Sequence, residues 1–135
     1  MEVLAQCLPK VRNEVYLHKK TMDYDDLSKI VKSCTQAERL ILNYCKIKPT
    51  GFLDFRTEDL YKINFLSFRW SGDSDSSNWK KYVDDYRNLI EAIRQSGLKD
   101  SVRTIDVFNC GVDVEESLIE NVQIVELEKN PLTEF

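Results

Sequence analysis

One histidine, His18, and four cysteines, Cys7, Cys34, Cys45 and Cys110, are the side chains of this sequence best suited to nucleophilic chemistry. A catalytic cysteine needs a base beside it to hold the thiolate, and His18 is the sole imidazole that could serve. No Cys-x-x-Cys pair, P-loop, GxGxxG or metal-ligand spacing accompanies them. The acidic run Asp23 to Asp26 and the pair Asp84 and Asp85 would suit a cation, but the glycine and terminal Glu of an EF-hand loop are missing. The first run fits a helix N-terminus and the second a solvated helix face. No cofactor or metal is expected, and a cysteine/histidine-dependent enzyme stands only as an alternative.

Bulk properties narrow the field further. The chain has 135 residues, 42% hydrophobic and 31% charged, with four glycines and three prolines. That is enough for one domain, residues 1–135, with its own apolar core. A net charge of -4 argues against a nucleic-acid binder working by phosphate neutralisation. No apolar run is long enough to span a bilayer, and the N-terminus lacks the features of a secretory signal, so no membrane partner is expected. Four scattered cysteines then read as reduced thiols of an intracellular, cytoplasmic or nuclear, compartment.

The elements that would position these residues emerge from self-similarity. "AERLILNYCKI" from Ala37, "VRTIDVFNCGV" from Val102 and "VQIVELEKNPL" from Val122 share apolar residues at positions 1, 4, 6 and 11 and Cys or Asn at position 9. Composition alone predicts about a third of one such match in the chain. "INFLSFRWSGD" from Ile63 and "RNEVYLHKKTM" from Arg12 are weaker copies, with Ser71 and Lys20 at position 9.

The pattern LxxLxLxx(N/C)xL resembles the leucine-rich repeat, and its spacing and cysteines look most like the ribonuclease-inhibitor-like and cysteine-containing subtypes. The resemblance implies an α/β fold: a short solenoid with about five parallel strands on a concave face and helices on the convex one. It also implies that position 9 braces a bend, so that Cys45, Ser71, Cys110 and Asn130 would form a ladder under the strands.

Helices are expected in the intervals. Leu27, Ile30, Val31 and Cys34 form one helical stripe after Asp23. Trp79, Tyr82, Val83, Tyr86, Leu89, Ile90 and Ile93 form a longer one, between a cap at Asn78 and a left-handed stop at Gly97. This helix and the polar loop from Ser71 make an insertion, residues 71–97. Shorter helical pieces are expected before Pro9, around Thr57 to Tyr61, and around Leu118 and Ile119.

With positions 4 and 6 inward, positions 3, 5 and 7 face outward on the strands, with position 8 at the rim. Tyr16, His18, Ile41, Tyr44, Phe65, Arg69, Trp70 and Phe108 are the candidate partner-binding residues on that face; Ile124 and Glu126 fall there as well in the last copy. Five strands span roughly 19 Å, room for a helix or an extended peptide. The expectation is a noncatalytic module that binds another protein, as an adaptor or scaffold, or alternatively as a permanent structural subunit of a larger assembly.

Overall fold

The computed structural model describes residues 7–56, 60–69, 79–108, 110, 114 and 119–127, the backbone alone for 79–83. Its strands are β1 (Asn13–His18), β2 (Thr21–Met22), β3 (Ala37–Asn43), β4 (Lys46–Ile47), β5 (Phe65–Arg69), β6 (Thr104–Asp106) and β7 (Gln123–Val125). Among the described residues the α-helices are α1 (Tyr24–Ser33) and α2 (Trp79–Arg94), with 3-10 turns at Leu8–Lys10 and Gly97–Asp100. The main sheet runs β1-β3-β5-β6-β7, and every pairing in it is parallel. Strands that follow one another in sequence therefore lie side by side. A second parallel pair, β2 with β4, sits just past the bends.

Registers across the first four copies match the repeat. Val15, Leu40, Leu66 and Ile105, all at position 4, lie opposite one another, as do Leu17, Leu42 and Phe68 at position 6. These residues form one core with Leu27, Ile30 and Val31 of α1 and Tyr86, Leu89, Ile90 and Ile93 of α2. Both helices thus cover the same face of the sheet, because each presents a single apolar stripe. An Asp23/Asp26 capping box satisfies the first turn of α1.

The bends repeat as well. Lys19 and Tyr44, both at position 8, adopt left-handed conformations with φ of 55° and 57°. Lys19 N–H donates to Asn43 O at 3.0 Å, and Tyr44 N–H to Arg69 O at 2.8 Å, each reaching the next strand. Past each bend a thiol turns inward. Cys45 Sγ lies 3.7 Å from Leu17 O and 3.6 Å from Asn43 O; Cys110 Sγ lies 2.7 Å from Phe68 O and 3.7 Å from Phe108 O. The acceptors are equivalent: position 6 of the preceding strand and position 7 of the thiol's own. Ser71 and Asn130, the other expected rungs, lie outside the described residues.

Several expectations are corrected. Ile124 pairs with Ile105 and is buried in the core, so the last copy begins one residue earlier than the sequence pattern places it. Gln123-Ile124-Val125-Glu126-Leu127 has apolar residues in both phases of the two-residue strand period, so the pattern could not choose between them. Gly97 is no left-handed stop: α2 ends at Arg94, and Gly97 opens a 3-10 turn capped by Ser96. Cys7 is helical and leads into a 3-10 turn, Leu8–Lys10, that contains Pro9, while the rest of the helix expected before Pro9 lies outside the described residues; Ile119 sits in a bridge to Val122 rather than in a helix. Leu60 and Tyr61 are irregular too, while Thr57, Leu118 and Asn78 lie outside the described residues.

No α-helix is described between β4 and β5. There the chain drops Leu53 and Phe55 into the core directly, pinned by Phe52 N–H to Asp25 Oδ1 at 3.0 Å. The turn before it needs Gly51, whose φ is +83° and whose added Cβ would lie 2.7 Å from the Asp25 carboxylate.

Burial raises the Cys34 thiol to about 11 and also raises Cys45, although Lys20 and Lys19 pull the latter down in part. Unfolded, both would ionise near 9.0. The unfolded chain therefore releases those protons first, and stability should hold below about pH 9 and fall as pH rises towards 11. Urea midpoints measured across that range check it. A thiol reagent at neutral pH should label Cys7 rapidly and the buried Cys34, Cys45 and Cys110 only after denaturation.

Candidate functional site

The face of the main sheet opposite the helices carries three rows of side chains, set by parallel strands in register. Tyr16, Ile41, Ser67, Asp106 and Val125 make the central row, with Tyr44 beside its first end at the bend. The row towards the strand starts begins Glu14, Arg39, Phe65. Here the Arg39 guanidinium lies 4.5 Å from the Phe65 ring centroid and its Nε 3.2 Å from Glu14 Oε1, an ion pair too poorly aligned for a hydrogen bond. The row towards the bends reads His18, Asn43, Arg69, Phe108, and then Leu127.

Its middle is a closed polar network. Asp106 is fully buried, and its Oδ2 accepts from Ser67 Oγ at 2.8 Å and from an Arg69 guanidinium nitrogen at 2.9 Å. The other oxygen, Oδ1, accepts backbone N–H groups of Phe108 and Leu127, both at 3.1 Å. Arg69 also donates to Leu127 O at 2.9 Å, and its guanidinium lies 4.4 Å from the Phe108 centroid. A carboxylate accepting from every side is what makes a buried ion pair tolerable. In doing so it ties the ends of β6 and β7 to β5.

At the β1 end the chemistry differs. Tyr16 is 41% exposed, His18 is exposed and Tyr44 half-buried. The Tyr16 hydroxyl lies 3.1 Å from His18 Nδ1, and Asn43 Nδ2 donates to that hydroxyl at 3.4 Å. The imidazole stacks near Tyr16, centroids 6.0 Å apart, and meets Tyr44 edge-on at 5.3 Å. Asn43 Oδ1 is buried without a hydrogen-bond partner.

Seven of the eight candidate residues thus keep the outward face or its rim, yet not all reach solvent. Tyr16, His18, Tyr44, Phe65 and Phe108 are exposed or half-buried. Ile41, expected at the surface, is completely buried although it stands apart from the core beneath the helices; Arg69, also expected there, is 6% exposed because Asp106 holds it down. Trp70 lies outside the described residues. Asp106 and Ser67 were on the outward positions but carried no binding expectation. The signal was present as an acid at an outward position, one diagonal step from an arginine.

His18 is engaged by Tyr16 while Cys45 and Cys110 face the other side of the sheet towards the core. Among the described residues no group of three or more His, Cys, Asp or Glu side chains gathers as metal ligands, and no helix is long and apolar enough to cross a membrane. Comparison with models of protein families, with curated proteins and with solved structures finds no match for the chain, so residues and geometry carry its functional reading.

Proposed function

We propose that this chain is a noncatalytic, leucine-rich-repeat-like module that holds another protein against the sheet face opposite its helices. The solenoid reading is supported by bends that recur at equal offsets, each with a left-handed residue or an inward thiol donating to equivalent carbonyls. Cysteines kept as thiols, three of them buried, suit a reducing intracellular compartment.

The observation that carries the binding reading is the Tyr16–His18–Tyr44 cluster. Three rings gather at one end of the sheet, exposed or half-buried, and contribute nothing to the core. Rigid aromatic side chains of this kind make binding hot spots. Phe65 and Phe108, each covered on one side by an arginine, extend the surface; Ile41 and Arg69 support it from below.

Tyr16→Ala with Tyr44→Ala should weaken retention of a native partner by about thirtyfold, corresponding to roughly 2 kcal/mol at a hot spot, with the thermal midpoint nearly unchanged. Affinity capture from the source cell with wild-type and variant chains side by side reads this. Equal retention by both would end the proposal. Trp70→Ala with Phe108→Ala separates an adaptor, which loses its partner but stays folded, from a permanent subunit. The latter reading draws on Phe52 and Leu60, 70% and 83% exposed, and predicts aggregation of the lone chain.

A further inference from the structure

β1 is the end strand of the sheet, and among the described residues no strand pairs with its outer edge. Lys19 N–H and Leu17 O both point to the β3 side, the first bonded to Asn43 and the second accepting the Cys45 thiol. Backbone groups alternate along a strand, so those of Glu14, Tyr16 and His18 point away from the sheet. Left-handed Asn13 (φ 71°) and Lys19 (φ 55°) bracket this edge and set its length. An open edge of this length is a template for another strand.

We propose that the occupant is β1 of a second copy, paired antiparallel about a two-fold axis at Tyr16. The sequence of β1 is complementary to itself in that one register. Tyr16 meets its counterpart as a hydrogen-bonded pair, each exchanging N–H and C=O bonds with the other, and each His18 N–H meets a Glu14 carbonyl. On the outward face Glu14 lies across from the partner's His18, acid opposite imidazole, with the two Tyr16 rings between these pairs. On the core side Val15 lies across from Leu17, continuing the apolar layer over the seam. Glu14 N–H is already satisfied by Arg12 O at 2.9 Å, so no outward donor of the monomer need be broken. A one-residue slip would oppose Tyr16 with a core-side residue, and it is excluded by the strand period. The axis stands perpendicular to the sheet, so both helical layers stay on one side. The joined sheet would be roughly 43 Å across, with the two aromatic clusters adjoining at its centre.

This goes beyond the partner-binding reading and is measured separately, by mass and cross-linking rather than by retention of another protein. Light scattering of the full chain should give a dimer that dissociates on dilution. Tyr16→Pro removes the donor at the axis without touching the β3 ladder, as proline is tolerated on an outward edge position, and should yield a folded monomer. His18→Glu places an acid across from Glu14 twice by symmetry and should weaken the dimer about tenfold or more; Glu14→Lys should do the same, and mixing the two variants should restore a heterodimer. In a Cys7→Ala background, Tyr16→Cys should cross-link on mild oxidation, since a hydrogen-bonded antiparallel pair sets Cα atoms about 5.5 Å apart, within disulfide reach. Glu14→Cys should not, its counterpart being roughly 14 Å distant along the strand. A monomer at every concentration overturns the proposal. So does a dimer unaffected by Tyr16→Pro and His18→Glu in variants that melt like wild type, or cross-linking at Glu14→Cys in place of Tyr16→Cys.

Discussion

Asp106→Ala should cost about 3 to 5 kcal/mol of folding stability, read as a lower urea midpoint. The carboxylate is fully buried and accepts four hydrogen bonds, from Ser67, Arg69, Phe108 and Leu127. Its removal leaves the Arg69 guanidinium in a site shielded from water with its charge partner gone, together with two backbone N–H groups that lose their acceptor. Against the roughly 5 to 15 kcal/mol typical of a domain this is a large fraction. The cause can be separated from simple loss of volume. Arg69→Met added to Asp106→Ala removes the stranded charge and should recover part of the loss, whereas additive costs would show that the ion pair is not the source. Because Asp106 holds the ends of β6 and β7, the single variant should also expose the amides of Phe108 and Leu127 to hydrogen exchange before those of β3.

Phe68→Ala should cost a similar amount, about 3 to 5 kcal/mol, by a different route. Phe68 is the largest of the fully buried side chains, sits in the middle strand at position 6, and lies against Tyr86 of α2 with ring centroids 6.3 Å apart. Truncation opens a cavity between sheet and helix at the place where Tyr86 donates to Cys45 O at 2.6 Å and where Cys110 reaches the Phe68 carbonyl. Phe68→Leu refills most of the space and should recover more than half of the loss. If Phe68→Ala costs less than about 1 kcal/mol, the core does not close around α2 as described.

The strands and the α1 stripe were legible because their signals are local. Position 4 and position 6 residues recur at a two-residue period, and Leu27, Ile30, Val31 and Cys34 recur at a helical one, so both could be placed without knowing what they touch. The register of β7 was not legible, since apolar side chains occupy both of its phases and pairing with Ile105 makes the choice. The mixed segment between β4 and β5 reads as short helical turns around Thr57 to Tyr61, yet Leu60 and Tyr61 are irregular and the Phe55 and Tyr61 rings meet edge-on at 5.1 Å.

Of the candidate site, the sequence by itself determined which residues share the outward face: strand periodicity and a common repeat offset place Tyr16, Ile41, Phe65, Arg69 and Phe108 there before any contact is known. Which of them meet solvent was decided only by the tertiary structure. Burial depends on neighbours distant in sequence, and Asp106 draws Arg69 down across 37 residues of chain while Tyr16 and His18 stay open at the end of the sheet. Periodicity sets a side chain's direction; strand order and register decide what stands in front of it.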